Sequence, residues 1–82
     1  MTIKDKKTVR TMLENGGQFP GDPPAAVIYR YTPLDSDLES YAIFYDVRDD
    51  DMYISMYVKN PVLLMRADGV LTDAGRFWLA ST

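Results

Sequence analysis

Residues 52–59, MYISMYVK, alternate with almost no interruption. Met52, Ile54, Met56 and Val58 fall on one side, and Tyr53, Ser55, Tyr57 and Lys59 on the other. A period of two marks a strand with one face turned to a core. The stretch YAIFYDV at 41–47 has strand composition too, and Arg48 to Asp51 separates the two as a turn. If Val47 pairs with Met52, then Tyr45 meets Ile54, Ile43 meets Met56 and Tyr41 meets Val58, and one side of the hairpin is continuously apolar. The other side then carries Ala42, Phe44, Asp46, Tyr53, Ser55 and Tyr57. A slip of one residue sets Asp46 against Ile54 and Arg48 against Met52, so burial of one face selects the first register.

A further strand is predicted at 25–32, AAVIYRYT, with Val27, Tyr29 and Tyr31 on one face and Ile28 and Arg30 on the other. Pro33 ends it, and LDSDLES at 34–40 is a polar loop. Upstream, Val9, Met12 and Leu13 share a helical stripe, with Ile3 at its start. Thr2 is placed to cap that helix, with Asp5 three residues on in a capping-box arrangement, and Asn15-Gly16-Gly17 stops it. The spacing predicts a helix over roughly 3–14. QFPGDPP at 18–24 can be neither helix nor central strand, and reads as an ordered connector with Phe19 packed on the core.

Residues 60–69 carry two competing signals. Asn60-Pro61 looks like an N-cap followed by proline at N1, with Gly69 as the C′ glycine and good helix formers between. Asp68-Gly69 is also a two-residue hairpin turn, which would make 62–66 and 70–72 strands. The run Leu63 to Ala67 tips the reading to a short helix. Thr72 then caps a last helix at 73–80, with Asp73 in its first turn and Phe77, Trp78 and Leu79 as a packing face. The whole is one α+β domain over residues 1–82: an N-terminal helix, a three-stranded antiparallel meander and a C-terminal helical segment.

Composition agrees with a small globular protein. The 82 residues are 46% hydrophobic and 26% charged, and two independent cores would need more chain. There is no cysteine, which excludes disulfides, thiolate zinc sites and thiol nucleophiles. There is no histidine, which removes the usual general base and the commonest metal ligand. No apolar run approaches the ~20 residues of a membrane-spanning helix. The N-terminus lacks the apolar stretch of a secretory signal, so a soluble, cytoplasmic protein is expected.

The candidate chemistry is sparse. Asp49, Asp50 and Asp51 are consecutive on a turn and lack the alternating spacing of a calcium loop; Asp35, Asp37 and Glu39 share a loop without further ligands. Asp46 interrupts the back face of its strand and is expected to pair with Arg30 or Lys59. The serines have no partner base beside them, and Gly16-Gly17 is not a phosphate loop. No enzymatic activity, cofactor or metal is expected. The net charge of −3 and the acids near the aromatics argue against nucleic acid, although Lys4, Lys6, Lys7 and Arg10 make a basic patch.

The tyrosines remain. There are six, and they lie on the predicted strands. Exposed aromatic patches mark partner sites. The sequence therefore points to a non-enzymatic protein-interaction module, self-associating or binding another protein through Phe44, Tyr53 and Tyr57, with Asp46 and Lys59 at the rim. Packing of Phe77, Trp78 and Leu79 over that face, closing a second core, is the structural alternative. Two other functions stay open. One is an acidic inhibitor or decoy that fills a basic groove with Asp35, Asp37, Glu39, Asp49, Asp50 and Asp51. The other is a small-ligand binder with its pocket between sheet and C-terminal helix.

Overall fold

The computed structural model describes residues 2–21, 23–25, 27–45 and 58–81. In chain order these form β1 (Thr2–Lys4), α1 (Lys6–Glu14), β2 (Val27–Pro33), β3 (Ser40–Phe44), β4 (Val58–Met65) and α2 (Asp73–Ser81). The four strands make one antiparallel sheet in the order β1-β3-β2-β4. The class is α+β, with four strands among the described residues where the sequence suggests three. Among the described residues no helix is long and apolar enough to cross a membrane.

The N-terminal helix starts later than predicted. Thr2 belongs to β1, which pairs Thr2 with Ile43, Ile3 with Ala42 and Lys4 with Tyr41. Asp5 is the N-cap instead, its carboxylate accepting from the Thr8 backbone N–H at 2.7 Å. Strand pairing outcompetes the capping box that Thr2 offers. The stop is as read from the sequence: Gly16 and Gly17 have φ of 69° and 96°, and the Gly17 N–H closes on the Met12 carbonyl at 2.7 Å. Val9, Met12 and Leu13 are the buried stripe, and Phe19 packs at the edge of the same core.

The antiparallel pairing of the first two predicted strands is found as β2 with β3, but Val58 does not take the other edge of β3. β3 pairs with β1 on one edge and β2 on the other, so Tyr41 has no edge left for Val58. β4 instead takes the far edge of β2, where Val58 meets Pro33 and Lys59 meets Thr32. The proposed pairs Val47 with Met52 and Tyr45 with Ile54 involve residues outside those described.

The predicted short helix at 60–69 is also corrected, in favour of its alternative. β4 runs through Asn60-Pro61 to Met65, and the chain then turns at Asp68-Gly69. Arg66 N–H donates to the Val70 carbonyl at 2.9 Å, and Met65 bridges Leu71. Asn60, at φ 53°, and Pro61 lie where the β2–β4 register shifts between Arg30 and Thr32. A bulge residue is spared from the ladder, so a left-handed Asn and a Pro without an N–H are both tolerated there.

Thr72 caps α2 as expected, and it also fastens the helix to the sheet. Its hydroxyl accepts from Gly75 N–H at 3.0 Å and donates to the Leu63 carbonyl at 2.5 Å. Its own N–H donates to the Leu64 carbonyl at 3.1 Å.

Both helices cover one face of the sheet. Val9, Met12 and Leu13 from α1 and Trp78 from α2 meet Ile28, Tyr41, Ile43, Leu64 and Met65 in the main core. On the opposite face Val27, Tyr31, Ala42 and Phe44 form a second buried cluster, flanked by Tyr29, Val58 and Leu63. The alternation read at 27–31 thus sorts correctly. The C-terminal helix, however, lies on the Tyr41 side rather than over Phe44.

Candidate functional site

Ala74, Phe77, Trp78 and Ser81 lie at helical spacings of three and four, so α2 presents them as one stripe. That stripe faces Arg30 of β2 and Glu39 of the loop before β3 across a half-open cleft of about 260 Å3. Register explains why the two charges meet there. Arg30 is the cross-strand partner of Tyr41, and Glu39 precedes Tyr41 by two residues, on the same side of the strand line.

The polar wall is a short hydrogen-bonded chain. The Arg30 guanidinium donates to Glu39 Oε1 at 2.8 Å, and the Tyr41 hydroxyl donates to Glu39 Oε2 at 2.6 Å. Both carboxylate oxygens are therefore engaged. Burial pushes the Glu39 carboxyl up, but the hydrogen bonds from Tyr41 and Arg30 and the charge of Arg30 outweigh it and hold the group below its usual value. Burial, and then the bond to Glu39, push the Tyr41 phenol up to about 12. A carboxylate stabilised as an anion is a poor general base, and this phenol stays protonated at neutral pH. Glu39's lowered pKa makes its contribution to stability one that is present above the ordinary glutamate pKa and lost as pH falls through the lowered value. Its side chain is 40% exposed, so solvent screening keeps that contribution small.

The apolar wall is aromatic. Trp78 is buried and meets the Tyr41 ring edge to face, with centroids 5.5 Å apart. Phe77, one residue earlier, is 75% exposed at the lip. Its expected packing role is thus not what it has: Trp78 enters the core and Phe77 faces solvent.

The residues singled out in the sequence are placed differently. Phe44 is 1% exposed and sits in the second core, edge to face with Tyr29 at 6.0 Å, so it offers no contact surface. Lys59 lies on β4 and approaches Asp37 at 3.7 Å. Tyr53, Tyr57 and Asp46, with the acids Asp49, Asp50 and Asp51, lie outside the described residues. Arg30, one of the two partners foreseen for Asp46, is bonded to Glu39.

Of the acidic loop, Asp37 and Glu39 are each ion-paired, and Asp35 is exposed. Among the described residues no group of three or more acids could hold a metal ion. Sequence reasoning missed Phe77 and Arg30 as site residues. The signal available for Phe77 was its place beside Trp78 at the margin of the stripe, where one helix face buries the tryptophan and leaves its neighbour exposed. Compared with family models, curated proteins and solved structures, the chain matches none.

Proposed function

We propose that this chain is a non-enzymatic protein-interaction module whose contact site is the cleft between α2 and the sheet. The observation that carries the reading is Phe77, 75% exposed at the lip of a cleft with Trp78 and Ala74 on the same wall. A single exposed apolar side chain needs no explanation. One that borders an aromatic-lined concavity has the anatomy of a contact hot spot, an aromatic anchor beside a pocket with a polar rim. The volume decides between ligand classes. At about 260 Å3 the cleft falls below the roughly 300–1,000 Å3 of sites for drug-sized molecules, and suits one large side chain of a protein partner. The Arg30–Glu39 pair stays at the rim, where it orients the partner's backbone rather than reacting with it.

Trp78 is the sole tryptophan, so intrinsic fluorescence reports on the cleft directly. Titration with N-acetyl-phenylalaninamide should shift its emission saturably, with a dissociation constant on the order of 1 mM. The Phe77→Ser variant should keep its fold and lose most of that response. Emission that stays unchanged up to the solubility limit of the amide contradicts the reading.

A further inference from the structure

We infer that the partner side chain is Phe77 of a second copy of this chain, the two copies pairing about a two-fold axis that seats each Phe77 in the other's cleft and sets each Arg30 opposite the other's Glu39. This rests on the reading of the cleft as a docking site. A two-fold interface requires a patch complementary to itself. Here the projection and the concavity lie side by side on one helix stripe.

The charges have the same property. The rim carries one guanidinium and one carboxylate, and the neighbouring surface of α2 carries the ion pair of Arg76 with Asp73. A two-fold axis that passes between Arg30 and Glu39 sets each against its opposite on the other copy. A partner of a single sign would meet a like charge at one side of the rim. The patch is also neutral on a chain of net charge −3, so two copies repel elsewhere and least here. The contact area is small, which places the pair among weak, reversible associations.

The test is solution mass by sedimentation equilibrium from about 10 µM to about 1 mM, with circular dichroism to verify the fold of each variant. Wild type is expected to pass from monomer to dimer across that range. Phe77→Ser, altered at an exposed position, should weaken association by at least about tenfold. Arg30→Glu and Glu39→Arg should each be monomeric, because each sets like charges across the axis. An equimolar mixture of the two should recover dimer, since every cross-axis pair is then opposite in sign.

Wild type that remains monomeric at about 1 mM overturns the self-pairing. Dimerisation that the mixture fails to recover overturns the two-fold arrangement through this cleft. The amide titration separates the two ideas. If the amide binds to a chain that stays monomeric, the docking reading stands and only the self-pairing falls. If neither occurs, both fall.

Discussion

Gly75→Ala is expected to destabilise the domain by about 3 kcal/mol, read as a lower urea midpoint at unchanged slope. The sign is what makes the result informative. Glycine inside a helix is about 1 kcal/mol worse than alanine, so local propensity alone predicts that this substitution stabilises α2. Gly75 is in α2 and is buried against β4. A methyl group there would land on the carbonyl oxygen of Leu64, far inside contact distance, and within 3.0 Å of its carbonyl carbon. Those are backbone atoms, and they cannot swing aside as a side chain would. The Leu64 carbonyl accepts from Thr72 N–H at 3.1 Å, and the Leu64 side chain is fully buried. Relief therefore requires lifting α2 from the strand, which strains the Thr72 bonds to Leu63 and Gly75 as well. A domain of this size holds a net stability of about 4–12 kcal/mol, so the loss is a large fraction of it. A variant as stable as wild type would mean that the helix does not sit this close to the sheet.

Phe44→Ala should cost about 3–5 kcal/mol, the range for removing a buried aromatic ring and leaving a cavity. Phe44 is 1% exposed and packs with Val27, Tyr31 and Ala42, while the Tyr29 ring meets it edge-on. Phe77→Ala removes the same atoms from a site that is 75% exposed, and should change stability by no more than about 0.5 kcal/mol. The two phenylalanines thus exchange the roles that their sequence contexts suggest. The one on a strand, expected in a contact surface, holds the fold. The one on the helix, expected to pack, is exposed to solvent. A Phe44→Ala variant within about 0.5 kcal/mol of wild type would contradict this, and would return Phe44 to the surface.

Local signals were legible where local physics decides. The Asn15-Gly16-Gly17 stop, the two faces of β2 and the Thr72 cap each depend on a few neighbouring residues, and each is as read. Strand order is another matter. A period of two fixes which face a residue takes but not which strand lies beside it. β1 is three residues long, and its sequence doubles as a helix start. It occupies the edge of β3 that the hairpin reading reserved for residues 54–58.

At 60–69, Asn60-Pro61 satisfies both a helix N-terminus and a bulge. Only the pairing of β4 with β2 distinguishes them. The cleft was half visible. Ala74, Phe77, Trp78 and Ser81 form a stripe in any helical reading, but Arg30 and Glu39 reach it through the β2–β3 register, which no periodicity reveals.

That register is what the whole account depends on, since it brings Arg30, Glu39 and Tyr41 under α2. Backbone cross-strand nuclear Overhauser contacts in an isotope-labelled sample measure it directly. The expected set joins Tyr29 to Ala42 and to Leu63, Arg30 to Tyr41, and Ile3 to Ala42. Contacts joining Tyr41 to Val58, with none between Ile3 and Ala42, would contradict it.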